Sequence, residues 1–304
     1  MMKKAFVLGS INMDLCLRVD TLPMVGESKR AHGFFATQGG KGANQSIAVK
    51  KLGLDEVYFI GSVGKDNYGK ELKESLSQYG IDLRGLKETE VKPTGVCVAV
   101  FDETINDNML FIDAGANEAV DKNFVKQLLK EKGKEGDIFI TQLETNLDAV
   151  YEGIKTANEM GMYVILNPAP VTKIDESIYK YIDLIIPNET ETKLLTGVEV
   201  INEISAKKAF EFFNVPEMVI TLGKDGGYYI NKNTIKKYNA HKCKAIDTTC
   251  AGDTFIGALA IKKAEGFEII DSLDFASKCS AITVSRKGAG ISIPTKEEAM
   301  TINE

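Results

Sequence analysis

The chain has 304 residues, of which 44% are hydrophobic and 26% are charged, and these fractions are ordinary for globular proteins. They argue against intrinsic disorder. The formal net charge of −6 argues against nucleic acid as the main partner, because nucleic-acid-binding domains usually present a basic face. A nucleotide is still allowed, since a helix N-terminus can bind phosphate without any net positive charge.

The cysteine pattern and the N-terminus bear on the cellular compartment. The first apolar run is too short for a signal-peptide core, and no segment has the length of a transmembrane helix. The five cysteines lie far apart, at positions 16, 97, 243, 250 and 279. This scatter favours reduced thiols over a disulfide framework or a zinc site, so we expect a cytoplasmic protein.

Short apolar runs alternate with helical patterns along most of the chain. The predicted strands are residues 5–9, 57–60, 138–142, 163–166, 184–187 and 218–222. The predicted helices include residues 42–52, 68–78, 148–159 and 253–264, each followed closely by a glycine. The alternation predicts an α/β fold with a mostly parallel central sheet flanked by helices on both faces. Without a linker or a repeat, we expect a single domain over residues 1–304.

Two regions break this alternation. Residues 15–37 and 94–113 have strand patterns without an intervening helix, which predicts a small antiparallel sheet. Residues 96–101 are apolar on both alternating faces, and such a strand needs cover on both sides. One interpretation is a lid that also forms a dimer contact, and the other is an ordinary core strand.

The most distinctive segment is Asp-Thr-Thr-Cys-Ala-Gly-Asp at residues 247–253, which leads directly into a predicted helix. Ala251 and Gly252 are small enough for backbone N–H groups to approach an anion, and a helix N-terminus adds positive potential. Asp253 would repel a phosphate that was merely bound, but it suits phosphoryl transfer as the base that faces the attacking hydroxyl. The alternative is an ordinary acidic residue in the first turn of a helix. The loop alone leaves both open.

A second glycine-rich segment, Gly-Gly-Lys-Gly-Ala-Asn at residues 39–44, also precedes a helix. Its glycines allow close backbone approach beside the polar Lys41 and Asn44. It is not a Walker A loop, because the required Gly-x-x-x-x-Gly-Lys-Ser/Thr is absent; at residues 64–71 Glu71 stands where Ser or Thr is needed. A lone glycine-rich loop is a weak indication of function.

Taken together, these motifs resemble the ribokinase (PfkB-type) family of sugar kinases. The matching segments are residues 9–14, 39–44, 188–191 (Asn-Glu-Thr-Glu) and 247–255, in the family's order and spacing. Segments at 114–117, 142–144, 221–223 and 285–289 are similar to the ribokinase branch in particular. The resemblance covers essentially the whole chain. It implies a ribokinase-like fold in which the small antiparallel sheet, at about residues 12–37 and 93–114, is a lid.

The resemblance also implies a role for individual residues. The sugar would be held by Asn12, Asp14, Gly40, Lys41, Gly42, Ala43, Asn44 and Glu144. Asp253 would be the catalytic base, with Ala251 and Gly252 as the anion hole. The nucleotide would be bound by Asn188, Thr221, Gly223, Lys224, Asp225, Gly226, Gly252 and Ser277. Glu191 would help to hold Mg²⁺ through water, and K⁺ would be bound by Asp247, Thr249, Thr283, Arg286, Gly288 and Ser292, mostly through backbone carbonyls.

The activity implied by the resemblance is ATP-dependent conversion of D-ribose to D-ribose 5-phosphate, with Mg²⁺ required and K⁺ activating. The apolar pattern of the lid strand separately favours a homodimer formed through the lid. A PfkB-type kinase for 2-deoxyribose, a ketose or a nucleoside is the alternative within the enzyme class. A non-catalytic sensor of sugar or nucleotide is a further one, but it would not need the base Asp253. A nicotinamide-linked dehydrogenase would need a Gly-x-Gly-x-x-Gly after the first strand, which is absent.

Three departures from the family pattern qualify these expectations, one of which is that the lid segment at residues 101–108 lacks the glycine-rich turn often seen there. Gln38 precedes the double glycine where proline is usual, and Cys250 occupies a position generally filled by Gly or Ala. A helix N-terminus can lower the pKa of a thiol, so reactive chemistry at Cys250 is allowed, although the mechanism does not need it. Cys97 and Ala99 are small lid residues expected to touch the sugar, which leaves the exact sugar open.

Overall fold

The computed structural model describes residues 3–105 and 107–301. Its strands are β1 (Ala5–Leu8), β2 (Asn12–Val19), β3 (His32–Gly39), β4 (Val57–Gly64), β5 (Asp82–Thr89), β6 (Gly95–Asp102), β7 (Asp107–Asp113), β8 (Ile138–Thr141), β9 (Tyr163–Leu166), β10 (Leu184–Ile185), β11 (Glu217–Thr221), β12 (Gly227–Asn231) and β13 (Ile235–Tyr238). Its helices are α1 (Lys41–Lys51), α2 (Asn67–Gln78), α3 (Lys122–Lys132), α4 (Leu147–Glu159), α5 (Glu189–Thr196), α6 (Glu203–Phe210), α7 (Ala251–Ala264), α8 (Ile269–Val284) and α9 (Lys296–Thr301).

Nine strands form the large sheet, in the order β13-β12-β11-β10-β9-β8-β1-β4-β5. The pairs from β11 to β5 are parallel, and only β12 and β13 join by antiparallel pairing. β1, β4 and β8 are buried along their whole length, because helices cover both faces of the sheet. The predicted parallel α/β architecture is therefore confirmed.

The helices bury two separate hydrophobic clusters against the two faces of this sheet. One cluster takes apolar side chains from α1, α2, α7 and α8, and the other takes them from α3, α4 and α6. All six predicted strands and all four predicted helices are present, with ends shifted by at most four residues. The longest helix, α8, has 16 residues, and no helix within the described ranges is long and apolar enough to cross a membrane.

A second sheet of four strands, in the order β3-β2-β6-β7, corresponds to the predicted lid. The antiparallel pairing expected there holds within its two hairpins, β2–β3 and β6–β7. The two hairpins are joined by a parallel pair, β2–β6, so the sheet as a whole is mixed. The sequence patterns did not indicate this junction, because β2 and β6 lie about 80 residues apart in the chain. Residue 106, within the predicted lid, and residues 1–2 and 302–304 of the predicted domain lie outside the described part.

Helices α1 and α7 pack closely enough to bring their N-termini to one place. The contact runs through Gly257, where a Cβ atom would lie 2.5 Å from the Cβ of Ala48 and 3.1 Å from the amide nitrogen of Val49. A larger residue at position 257 would push the helices apart, because side chains in such a core have no free space. The two glycine-rich segments, some 200 residues apart in sequence, consequently adjoin.

Candidate active site

The residues predicted to bind the sugar and the predicted base Asp253 lie near the carboxyl ends of β1 and β8. These strands are neighbours in the sheet, although the chain continues from β1 towards β4 on the other side. Such a reversal of strand order leaves a crevice beyond the strand ends, where α/β proteins bind their ligands. The N-termini of α1 and α7 border the same crevice and contribute Asn44 and Asp253, which are in direct contact.

Asp253 lies in the first turn of α7 and its two carboxylate oxygens are held by amide side chains. Nδ2 of Asn44 donates to Oδ2 at 3.1 Å, and Nε2 of Gln45 donates to Oδ1 at 3.0 Å. Burial raises the pKa of Asp253, while Lys41 and the two amides act in the opposite direction. The result is a carboxylate with increased basicity that is held in one orientation.

The start of α7 presents backbone N–H groups beside this carboxylate. Among the described residues, no carbonyl or side chain accepts a hydrogen bond from the N–H of Gly252 or of Asp253, as expected for the first turn of a helix. The N–H of Ala251 differs, because it contacts the carbonyl oxygen of Thr248 at 3.4 Å. Gly252 is exposed, so its N–H is accessible to an anion.

Cys250 caps this helix in the left-handed conformation, with φ of 68°. That conformation explains why small residues, and glycine above all, suit the position: a side chain there costs about 1 kcal/mol. The thiol is buried, and burial raises its pKa well above the usual value. The possibility of a reactive thiolate at the helix N-terminus is therefore not supported.

Three of the predicted sugar ligands, Asn12, Asn44 and Glu144, have side chains that are already hydrogen-bonded within the chain. Asn12 accepts at Oδ1 from Nδ2 of Asn117 at 2.7 Å. Glu144 accepts at Oε2 from the hydroxyl of Ser10 and, at 3.3 Å, from the N–H of Lys41. The Lys41 ammonium keeps a raised pKa because Asp253, Glu144 and Glu191 offset the effect of its burial.

Asp14 of β2 faces the same crevice. Burial and the nearby Glu144 carboxylate raise its pKa to about 7, against a usual value of 3.8. Gly39 lies directly against this carboxylate, and a Cβ there would overlap it. The crevice thus concentrates the carboxylates of Asp14, Glu144 and Asp253 around the ammonium of Lys41, an arrangement suited to a neutral ligand with many hydroxyl groups.

The glycines of residues 39–44 are required by backbone contacts. Gly40 has φ of 92°, and a Cβ on it would lie 2.7 Å from the Cα of Ile11. A Cβ on Gly42 would lie 2.6 Å from the carbonyl carbon of Gly9. The N-terminus of α1 therefore rests directly on the chain after β1, which places Ala43 and Asn44 at the crevice.

Gln38, which departs from the family pattern, has a contact of its own. Its Nε2 donates to Oδ1 of Asn44 at 3.2 Å and to the carbonyl oxygen of Gly39 at 3.1 Å. The first bond fixes which way the Asn44 amide faces, so that Nδ2 is directed at Asp253. A proline could not make either contact.

On the nucleotide side, Asn188 and Glu191 form a reciprocal capping box at the start of α5. Oδ1 of Asn188 accepts from the N–H of Glu191 at 2.7 Å, and Oε2 of Glu191 accepts from the N–H of Asn188 at 2.9 Å. Burial raises the pKa of Glu191, and Lys41 lowers it. Asn188 also pairs with Thr221 in an isolated parallel bridge.

The loop after β11 borders an open cleft of about 1220 Å³ whose lining includes Leu222, Lys224 and Asp225. Gly223 and Gly226 have φ of 54° and 79°, which a residue with a side chain rarely adopts. Ser277 lies apart from this loop on α8. Its hydroxyl donates to the carbonyl oxygen of Asn239 and accepts from the N–H of His241, so it joins α8 to residues 239–241.

The predicted cation residues lie where the chain before α7 meets the chain after α8. Asp247 accepts from the N–H of Thr249 at 3.0 Å and from the N–H of Gly288 at 3.1 Å, and these bonds lower its pKa against the effect of burial. The side chains of Thr283 and Ser292 bond to backbone carbonyls of neighbouring turns. The guanidinium of Arg286 is paired with Glu298 at 2.9 Å, which leaves its backbone carbonyl as the group available to a cation.

Whether these residues fit the implied ions depends on their donor atoms. Within residues 3–105 and 107–301, no three His, Cys, Asp or Glu side chains are close enough to form a metal cluster. The single carboxylate of Glu191 fits Mg²⁺, which usually takes one or two protein carboxylates together with phosphates and water. Backbone carbonyls beside the Asp247 carboxylate fit a monovalent cation, since both are hard oxygen donors.

Sequence reasoning missed two polar residues of the site. Asn117 holds Asn12, and Gln45 holds Asp253. Asn117 belongs to a segment that resembles the family, and Gln45 directly follows residues 39–44. Neither residue was expected to touch a ligand. Their place in or directly beside these two motifs was the one feature of the sequence that could have pointed to them.

Comparisons with known proteins agree with this geometry. The family model described as pfkB family carbohydrate kinase matches residues 2–296. A ribokinase from Schizosaccharomyces pombe is 39% identical over 302 residues, covering 95% of this chain and 94% of that protein. A crystal structure of a ribokinase from Thermotoga maritima matches with a TM-score of 0.88 and 34% identity, covering 99% of this chain and 98% of that one. A ribokinase from Arabidopsis thaliana complexed with ribose and ATP matches with a TM-score of 0.87 and 28% identity, with the same coverage.

Proposed function

The chain belongs to the pfkB family of carbohydrate kinases, and we propose that it transfers the γ-phosphoryl group of ATP to the 5-hydroxyl of D-ribose. The products are D-ribose 5-phosphate and ADP. The observation that carries the proposal is the half-buried Asp253 carboxylate, which lies between a cage of hydroxyl-binding side chains and the free N–H groups of a helix N-terminus. The Arabidopsis relative complexed with ribose and ATP supports this choice of substrates.

Ribose binding falls to the polar side chains around the crevice. Asp14 and Glu144 accept hydrogen bonds from sugar hydroxyls, while Lys41 and the amides of Asn12 and Asn44 donate to them. Gly40, Gly42 and Ala43 let the backbone come close to the sugar. A sugar without one of these hydroxyls leaves a buried partner unpaired, which costs about 1–3 kcal/mol. This difference is the physical basis of sugar selection.

Asp253 takes the proton from the 5-hydroxyl as that oxygen attacks the γ-phosphorus in line. Its raised pKa favours proton transfer, and Lys41 keeps the carboxylate ionised before the reaction. The N–H groups at the start of α7, of which that of Gly252 is the most accessible, stabilise the charge on the transferring phosphoryl group. Ala251 contributes to the same turn. The lid excludes water from this step.

ATP binds along Thr221, Gly223, Lys224, Asp225 and Gly226, with Asn188 near the phosphates and Ser277 on the adenine side. Glu191 would hold Mg²⁺ through water, and the bound ion would supply charge neutralisation for the phosphate oxygens. The open cleft beside Lys224 provides the space for the nucleotide.

Asp247 and the backbone carbonyls of Thr249, Thr283, Arg286, Gly288 and Ser292 would hold an activating K⁺ beside the anion hole. The bond from the N–H of Gly288 to Asp247 already joins the two segments of this loop. A bound cation makes the α7 N-terminus more favourable for a phosphate group.

The organisation is a single ribokinase-like domain with a lid, and the lid forms a homodimer. Both faces of its outer strand are apolar and exposed: Phe111 is 59% exposed and Leu110 56%. One face covers the sugar, and a second copy covers the other. Phe111→Asp should convert the dimer to a monomer in analytical ultracentrifugation, and an unchanged mass would contradict the proposed contact. The five free cysteines support a reducing, cytoplasmic setting.

The function is tested by a phosphorylation assay over a panel of D-ribose, 2-deoxy-D-ribose, a ketohexose and nucleosides, with and without K⁺. We expect D-ribose to have the highest kcat/KM and K⁺ to raise its rate relative to Na⁺. A preference for a nucleoside, or the absence of phosphorylation of every sugar, contradicts the proposal.

A further inference from the structure

A chain of three buried amides leads from the sheet to the catalytic carboxylate. Gln45 of α1 and Gln142, just after β8, have no exposed surface, and Asn167, just after β9, is 8% exposed. Nε2 of Gln45 donates to Oδ1 of Asp253 at 3.0 Å. Its other contacts are to Oδ1 of Asn167 at 3.4 Å and to Nε2 of Gln142 at 2.6 Å, the latter bond being accepted by Oε1 of Gln45.

These contacts allow only one orientation of the Gln45 amide. If it were reversed, its oxygen would face the oxygens of Asp253 and Asn167, and its nitrogen would face the nitrogen of Gln142. Asn167 is itself fixed, because its Nδ2 donates to the carbonyl oxygen of Ile186 at 3.0 Å. One N–H of the Gln45 amide therefore points at Asp253, and the other points at Asn167.

Gln142 shows what this orientation costs. Its Oε1 is buried and has no hydrogen-bond partner among the described residues. The side chain lies against Gly9, whose missing Cβ makes room for it. Reversing the Gln142 amide would not give a better set of hydrogen bonds, because its oxygen would then face Oε1 of Gln45. Leaving a buried acceptor without a hydrogen bond costs about 1–3 kcal/mol. In return, the amides of Gln142 and Gln45 are aligned so that the positive end of their dipoles is at Asp253.

The two oxygens of Asp253 differ in consequence. Oδ1 is bound to Gln45, which is wholly buried and whose amide nitrogen and oxygen both have partners among the described residues. Oδ2 is bound to Asn44, a proposed sugar ligand that can exchange this contact for a sugar hydroxyl. We propose that Gln45 is a positioning residue of the kinase, which anchors Oδ1 through the Gln142–Gln45 amide chain so that Oδ2 is the oxygen that receives the substrate proton.

This inference rests on the proposed function and adds a role that acts through the base. The groups that titrate or carry charge and face Asp253 are Lys41 of α1, Asp14 of β2, Glu144 after β8, Glu191 of α5 and Cys250 before α7. Gln45 changes none of these charges. Its removal takes away a donor to the ionised carboxylate, which must raise the pKa of Asp253.

The test compares Gln45→Met, which keeps the size of the side chain, with Ser46→Ala as the control. Ser46 is the next residue of α1 and is equally buried, and within the described ranges its hydroxyl bonds only to the carbonyl oxygen of Ala43. We expect Gln45→Met to lower kcat about 10–100-fold, to change the KM for ribose less than about threefold, and to raise the pKa of Asp253 by about one unit or more. Ser46→Ala should leave all three unchanged.

The pKa of Asp253 is measured by ¹³C NMR on protein labelled at aspartate carboxyl carbons, with Asp253→Asn giving the assignment. The NMR measurement needs no turnover, so it tests the positioning role of Gln45 separately from the ribokinase activity. If the proposed activity is wrong, the wild type will not phosphorylate ribose, whatever the NMR shows. An unchanged pKa in Gln45→Met overturns the positioning role. So does a kcat loss that Ser46→Ala reproduces.

If Gln45→Met does not fold, Gln142→Met decides the question, because Gln142 does not touch Asp253. Loss of its N–H removes the bond that holds Oε1 of Gln45, so the Gln45 amide is held less rigidly against Asp253. The pKa of Asp253 must then rise and kcat must fall, both by less than in direct removal. If neither the pKa of Asp253 nor kcat changes in Gln142→Met, the proposal is overturned.

Discussion

On the sugar side of the site, Asn12, Asn44 and Glu144 are between 2% and 9% exposed, and each has a hydrogen-bond partner within the chain. On the nucleotide side, Gly223, Lys224 and Asp225 are exposed and adjoin an open cleft. Two ligands of one reaction thus meet surfaces of very different construction.

The difference follows from what each ligand offers. A neutral sugar binds only through hydrogen bonds, so its partners must be fixed beforehand or the cost of ordering them exceeds the gain. A nucleotide brings its own charges, which attract mobile lysines and helix N-termini over several ångströms. We therefore regard the sugar side as preorganised and the nucleotide side as completed by its ligand.

The largest expected effect is at the base. Asp253→Asn should lower kcat by about a thousandfold or more, because the acceptor for the hydroxyl proton is lost, while the Kd for ribose changes less than about threefold. Steady-state kinetics and calorimetry with ribose give the two quantities.

Asp271→Asn is the matched control, since Asp271 occupies the same place in the first turn of α8 and is exposed. It should retain normal turnover. If Asp253→Asn also turned over near the wild-type rate, Asp253 would be only a helix-terminal carboxylate, like Asp271.

A smaller effect, with a pH signature, is expected at Asp14. Because its pKa in the free protein is about 7, kcat/KM for ribose should fall as the pH is lowered through 7, where the carboxylate that accepts from the sugar becomes protonated. Asp14→Asn should raise the KM for ribose about 10–100-fold and abolish this acid limb. A limb that persists in the variant would have to come from another group.

The free energy of unfolding should depend on pH in the opposite sense to kcat/KM, and Asp14 is again the cause. The pKa of Asp14 is about 7 in the folded chain and near 3.8 when unfolded, so the folded state binds more protons between these values, and the free energy of unfolding falls as pH rises through them. Asp14→Asn should therefore stabilise the free protein by about 1–3 kcal/mol at pH 8 and not at pH 4. Urea unfolding at the two pH values measures this, and equal effects at both would contradict it.

The smallest effect should be on the nucleotide side. Lys224→Ala should raise the KM for ATP about three- to fivefold and leave the KM for ribose unchanged, because an exposed charge contributes at most about 1 kcal/mol. Lys232→Ala, which removes an exposed lysine away from the cleft, should change neither. A larger loss of ribose affinity than of ATP affinity in Lys224→Ala would break the distinction between the two sides.

The sequence predicted the sheet, the main helices and the position of the site, because these depend on local patterns: buried apolar strands, and glycines such as Gly40 and Gly42 where backbone segments touch. It could not predict the parallel junction of β2 with β6, since nothing in either strand specifies its partner. The contact between Gln45 and Asp253 joins residues 208 positions apart and depends on how closely α1 and α7 pack.

Asn188 and Glu191 illustrate a different limit. Their spacing is that of a capping box, and they form one at the start of α5. A local role therefore accounts for both residues whether or not a nucleotide binds. Only their place beside Thr221 and the approach of Lys41 to Glu191 connect them with the site.

The central claim is that the sugar side is complete before the nucleotide arrives. Calorimetric titration of the nucleotide-free protein with D-ribose tests it directly. We predict saturable binding of one ribose per chain, with an affinity that an unreactive ATP analogue changes less than about fivefold. Ribose binding that is undetectable until the analogue is added would contradict the account.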